Sequence, residues 1–192
     1  MKLSGSYQIN LSKQKVWEAL NDPEILKKSI PGCEEFTKNS ETEFTATATN
    51  KIGPFNASFT GDIELKDLDP PNSYKITGSG NSPVGFASGE ATVKLEDNKN
   101  GTNLIYEVEA NVGGKIAQVG SRLIDMTAKK MADIFFGKFS KLISSEDSPS
   151  NETSSKEKIV NQDKLVPKKH NHKILIYASA ALVLAVLIYS FF

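Results

Sequence analysis

The residue types that carry most protein chemistry are sparse in this chain and poorly placed for it. Both histidines, His170 and His172, sit in a Ser- and Lys-rich stretch, so no Ser-His or Cys-His nucleophile is expected in the residues that precede it. Cys33 is the only cysteine. It rules out an intramolecular disulfide, makes no zinc-ligand spacing with the histidines, and as a lone thiol defaults to a buried, inert role. No P-loop and no Gly-x-Gly-x-x-Gly run is present. Glu64 and Glu90 fall on predicted outward faces and no acidic pair converges. No catalytic residue and no metal site is therefore assigned. Arg122 is the only arginine, and a helical wheel puts it on a polar face beside Asp125. Its bland reading is a solvated ion pair, and its functional reading is a docking contact for a partner protein. Phe136 falls on the same polar face; it is a candidate for contact with a partner or with the membrane surface, or packs on the first strand. With 23 Lys+Arg against 23 Asp+Glu, no basic face is expected and no nucleic-acid partner is assigned.

The elements that would position these residues follow from periodicity. "KLSGSYQINL" alternates with Leu3, Gly5, Tyr7 and Ile9 on one face, a strand. Ser12 offers a cap to a short helix carrying Val16, Trp17 and Leu20, and Asp22-Pro23 signals a second. After the break in "IPGC" the period is two, with inward residues Phe44, Ala46 and Ala48, then Phe55 to Leu65, Tyr74 and Ile76, Gly85 to Leu95, and Leu104 to Ala110. Turn-forming runs at Pro70-Pro71-Asn72 and Asn98 to Gly101 separate them. A single helix is expected from Lys115 to Ile143, entered through Gly113-Gly114, with Ile116, Val119, Leu123, Ile124, Met131, Ile134, Phe135 and Leu142 in its apolar stripe. The order predicts an α+β domain in which about seven antiparallel strands wrap the last helix.

Inward positions that usually hold bulky residues instead read Ala46, Ala48, Ala57, Gly61, Gly85, Ala87, Gly89 and Ala91. One reading is a cavity between sheet and helix, with Ala57, Gly61, Ala87 and Gly89 as its small lining. Its larger lining would come from Trp17, Phe44, Phe55, Phe59, Phe86, Tyr106, Ile116, Val119 and Leu123. The alternative is that the small residues admit a close-packed helix or mark bulges.

Three segments are expected: a folded domain over 1–143, a polar linker over 144–173 and an apolar span over 174–192. The linker composition cannot bury enough surface to fold. Ile174–Phe192 contains no charge, Pro or Gly, and as a helix would measure about 28 Å, close to the hydrocarbon thickness of a bilayer. Lys168, Lys169 and Lys173 precede it, which places the preceding domain in the cytoplasm. The N-terminal residues lack the continuous apolar run of an export signal.

The stretches "VWEALNDPEILKKSIPGCEEF", "KIGPFNASFTGDIELKDLDPP", "GFASGEATVKL" and "GGKIAQVGSRLIDMTAKKMADIFFGKF" resemble the CoxG family, the G subunits of carbon monoxide dehydrogenase, within the START-like helix-grip superfamily. The resemblance covers the whole folded domain and leaves the linker unmatched. It implies a helix-grip fold and an accessory protein that associates with a molybdenum-containing CO dehydrogenase or a related hydroxylase at the cytoplasmic membrane. It also implies a hydrophobic cavity for which a membrane quinone or lipid is the expected ligand; no intrinsic cofactor is expected, and the missing catalytic groups argue against enzymatic activity. The resemblance leaves two alternatives open, a pure anchor or assembly factor without ligand and an enzyme acting on a hydrophobic substrate.

Overall fold

The computed structural model describes residues 1–146. The elements are β1 (Lys2–Ile9), α1 (Lys13–Ala19), α2 (Pro23–Ser29), β2 (Cys33–Lys38), β3 (Glu43–Ile52), β4 (Phe55–Asp69), β5 (Ser73–Ser82), β6 (Gly85–Asn98) and β7 (Gly101–Gly114), then a 3-10 turn (Lys115–Val119) and α3 (Ser121–Glu146). All seven strands join one antiparallel sheet in the order β1-β7-β6-β5-β4-β3-β2. The predicted α+β helix-grip architecture is the one observed.

Local chemistry explains the entry elements. The Ser12 hydroxyl accepts from the Lys15 amide and caps α1, and the Asp22 carboxylate accepts from the Glu24 and Ile25 amides and caps α2, with Pro23 in its first turn. The "IPGC" corner then turns the chain from α2 into β2. Gly32 takes φ +70°, and a Cβ there would lie 2.1 Å from the Thr49 carbonyl oxygen. The Thr49 amide donates to the Gly32 carbonyl at 2.9 Å, and the buried Asn50 side chain donates to Pro31 at 3.2 Å. Only glycine fits such a close, left-handed crossing.

The final helix begins later than expected. β7 continues through Gly114, the next five residues form the 3-10 turn, and Gly120 at φ +89° separates it from α3. The single helix predicted from Lys115 is thus two segments, because a residue at that φ cannot continue a right-handed helix. α3 also extends to Glu146, past the expected boundary at Ile143. The rest of the expected linker and the expected span at 174–192 lie outside the described residues. Among the described residues no helix is long and apolar enough to cross a membrane.

The core lies between the inner face of the sheet and the helices. α3 contributes Ile124, Ala128, Met131, Ala132, Phe135, Phe136, Phe139 and Ile143, and α1 and α2 contribute Val16, Trp17, Leu20, Ile25 and Leu26. Phe136 is a correction to the helical wheel: it is 1% exposed, and its ring stacks on Tyr7 at 4.0 Å and on Tyr106 at 5.5 Å. β1, at the edge of the bent sheet, lies against a side of α3 that a single-stripe reading assigned to solvent. A buried ring there cannot dock a partner. Leu142 and Ile134 are only half-buried, Ile134 packing against the edge of the core, whereas Ala132 and Ile143 are buried.

Candidate functional site

Strand register decides which side chains share the inner face and where. One rung runs Ala46, Gly61, Gly80, Ala87 across β3, β4, β5 and β6, and ends at Val112 of β7. The next rung runs Phe44, Ile63, Gly78, Gly89, Ala110. Two adjacent rungs are therefore built mostly of Gly and Ala through the middle of the sheet. Moving along the strands, the inner face becomes bulky: Leu65, Ile76, Ala91 and Val108 form one rung, and Tyr74, Val93 and Tyr106 the following one. The small rungs lie toward the end where the turns at 53–54 and 83–84 and the β7-to-α3 junction gather. We refer to this end as the mouth. The bulky rungs lie toward the opposite end, with α1 and the last turns of α3.

The predicted lining residues separate on this frame. Ala57, Gly61, Ala87, Phe44, Phe59 and Tyr106 are buried on the inner face, Trp17 packs from α1, Ile116 is buried in the 3-10 turn, and Gly89 and Phe55 are half-buried. Phe86 is 51% exposed. Its place in the strand alternation puts it on the outer face, where it pairs with Gly113 and its ring covers the spot a Gly113 side chain would fill. Val119 is half-buried and Leu123 is 37% exposed; both cross the mouth to the β3–β4 turn, within 3.2 to 3.4 Å of where a Gly53 side chain would begin. Phe86 is thus no inner-lining residue, and Leu123 sits at the rim. Arg122 is exposed, as the wheel predicts.

The inner surface is closed to solvent at Phe44, Phe59 and Trp17. Open hollows of about 580 and 550 Å³ lie instead on the outer face, the first lined by Glu43, Asp62, Glu64, Thr77 and Ser79 and the second by Lys2, Ser88, Glu90 and Glu109. Polar residues line both, and no group of metal-ligating side chains occurs among the described residues.

Two polar atoms inside the core were not singled out by sequence. The Trp17 Nε1 and the Tyr74 hydroxyl are buried without a hydrogen-bond partner among the described residues, and their rings meet edge to face at 5.5 Å. Burial holds the Tyr74 hydroxyl well above its ordinary pKa, so it stays protonated as a donor. By strand rise they lie about 13 Å beyond the Gly78 rung, toward the closed end. Alternation marks Tyr74 as inward, yet whether a hydroxyl finds an acceptor depends on long-range packing. Nearer the sheet edge, the Tyr7 hydroxyl donates to the Asp133 carboxylate and ties β1 to α3. Burial first, then that bond, raises the Tyr7 pKa, and burial likewise raises that of Tyr106. The Cys33 thiol is half-buried, donates to the Glu35 carbonyl at 3.4 Å, and is pushed up to about 11 by burial.

No curated protein sequence matches the chain. Solved structures do. A conserved protein from Geobacillus kaustophilus is 32% identical, with 76% of this chain and 97% of that one covered at a TM-score of 0.73. A Thermus thermophilus protein at 12% identity (77% and 100% covered, TM-score 0.60) and the Zhui aromatase/cyclase from a Streptomyces species at 11% (79% and 98%, TM-score 0.57) share the fold. The sequence profile for CoxG, the G subunit of carbon monoxide dehydrogenase, matches residues 5–144, nearly the whole described domain. By that match, the chain belongs to the CoxG family of carbon monoxide dehydrogenase subunits.

Proposed function

We propose that the protein is a membrane-tethered accessory protein that holds a hydrophobic ligand, a membrane quinone or another lipid, between its sheet and α3. In this reading it serves a molybdenum-containing CO dehydrogenase or a related hydroxylase at the cytoplasmic face of the membrane. The observation that carries it is the pair of adjacent Gly/Ala rungs over the mouth half of the inner face. A stretch of sheet lined by Gly and Ala would let an apolar guest lie against the backbone, and burial of the guest would supply about 25 cal/mol per Å² before ordering costs. The donors of Trp17 and Tyr74 support a guest with an acceptor at its inner end, such as a quinone carbonyl, since an unpaired buried donor costs free energy that such an oxygen would offset. The family supports the partner enzyme, and the uncharged run Ile174–Phe192 supports the tether.

Mass spectrometry of lipids extracted from the purified full chain tests the reading, with Ala87→Leu and Gly89→Leu as filled variants. A quinone or lipid retained near one per chain, and lost from both variants while they stay folded, is the expected result. If the wild-type chain carries nothing above background, the ligand is wrong and a tethered recruiter without a guest remains. Co-purification of a molybdenum hydroxylase with the tagged chain tests the partner separately.

A further inference from the structure

Four large apolar side chains are exposed in the described domain: Leu68, Phe86, Leu123 and Met126. Leu68 lies near the closed end of β4, whereas Leu123 and Met126 stand in the first turns of α3 at the mouth and Phe86 at the mouth end of β6 on the outer face, with Met126 the most exposed at 62%. Exposed Pro54 and Pro83 stand in the two turns beside them, and Val119 bridges to Gly53. The charges around this rim are unbalanced. Lys51, Lys115 and Arg122 are exposed and form no ion pair among the described residues, and the mouth turns and the first turns of α3 hold one acid, Asp125. At the opposite end the turns and the strand ends beside them carry Glu41, Glu43, Asp67, Asp69, Glu96 and Asp97 together with Lys38, Lys66, Lys75, Lys94 and Lys99, and several of these charges are paired, as in Lys13–Asp97, Lys38–Glu41 and Lys75–Asp67. The mouth end thus combines exposed apolar side chains with cations that have no ion pair among the described residues, whereas acids and lysines nearly balance at the other end.

We infer that the mouth is a docking surface for an anionic lipid bilayer. Leu123, Met126, Val119 and Phe86 enter the interfacial zone, while Lys51, Lys115 and Arg122 meet lipid phosphates. A flat anionic surface satisfies cations without requiring paired acids at fixed positions, and shallow insertion of apolar side chains adds to that attraction. The far end, with Leu68 as its one exposed large apolar side chain among the described residues and its charges nearly balanced, offers no comparable attraction, which fixes the orientation. The inference concerns the rim alone and stands whether or not the interior holds a ligand.

The full chain carrying Cys33→Ser and a single fluorescent label, at Met126→Cys or at Asn100→Cys in a far-end turn, is presented to vesicles containing spin-labelled lipid. One set is one part phosphatidylglycerol to two parts phosphatidylcholine; the other is phosphatidylcholine alone. The expected result is quenching of the Met126 label in the anionic set, relieved by salt, with no quenching at Asn100. Arg122→Gln, an exposed substitution that leaves melting unchanged, should lower the docked-to-free ratio about fivefold at low salt. Equal quenching at the two positions overturns the inference. So does a Met126 label already shielded in detergent, which would assign the rim to residues 174–192 or to a second copy, and so does quenching indifferent to lipid charge.

Discussion

At the scale of single residues, the buried polar atoms make the most direct claims. The Tyr74 hydroxyl has no partner among the described residues, so Tyr74→Phe should stabilise the ligand-free protein by about 1 kcal/mol while lowering retention of the bound lipid. Chemical denaturation of delipidated protein checks the first part and lipid extraction the second; a loss of stability in the delipidated variant would show that the hydroxyl is already satisfied. Cys33 offers a kinetic test. Its thiol, pushed up by burial to about 11 from 9.0, should react with a maleimide at neutral pH about 100-fold more slowly than a free cysteine, since only the thiolate attacks. The shift is upward, so the neutral thiol's contribution to stability is present below pH 9 and fades as pH rises toward 11. Sequence expected this thiol to be buried, and the structure leaves it half-buried at the start of β2. For Phe136 one of the readings left open, packing on the first strand, is the one observed; the docking reading arose because a helical wheel assumes one buried stripe, whereas α3 is gripped from two sides by β1 and the sheet interior. The rim place of Leu123 was not legible. Its heptad position is apolar, but the sheet ends before it.

At the scale of elements, local chemistry carried most of the information. The caps of α1 and α2, the alternation of β1 and of β3 to β7, and the turns between them follow from residues that speak for themselves within a few positions, whereas β2 does not alternate and its register shifts between Cys33 and Glu35. A further exception is the junction before α3, where the helical period continues through Lys115–Val119 but φ at Gly120 breaks it. Periodicity cannot distinguish a 3-10 turn feeding a helix from the helix itself, because both put every third or fourth side chain on one face. The "IPGC" corner is the element whose requirement is strictest. Gly32→Ala must both hold a positive φ and displace the Thr49 carbonyl oxygen, which should cost about 3 kcal/mol. The loss belongs to the α2–β2 junction, so amide exchange should quicken first in β2 and at the Thr49 end of β3, with β6 and β7 protected. Uniform quickening across the sheet would show instead that the corner is part of the global folding unit.

At the scale of the whole molecule, the register brought together what sequence could only name strand by strand. The small residues were visible one strand at a time, yet their alignment into two neighbouring rungs at the mouth half depends on pairings across five strands, and the meeting of Lys51, Lys115 and Arg122 at one end appears only once the turns are placed. That geometry constrains the tether. α3 starts at the mouth and its 26 residues carry the chain about 39 Å toward the opposite end. If the segment 174–192 is held in a bilayer, residues 147–173 must run back along the domain before the mouth can touch the same surface. Fully extended, they reach more than twice that length, at up to about 3.5 Å per residue. Deleting 147–166 leaves residues 167–173, which span at most about 25 Å, too short to return past α3. The shortened protein should still fractionate with membranes and resist alkaline extraction, yet lose quenching of a Met126 label by lipid-borne spins and, with it, loading of the interior. A replacement of the same length in Gly and Ser should restore both, because reach and not sequence is what the geometry demands. Loading that survives the deletion would mean that the ligand enters without the mouth facing the bilayer that holds the tail.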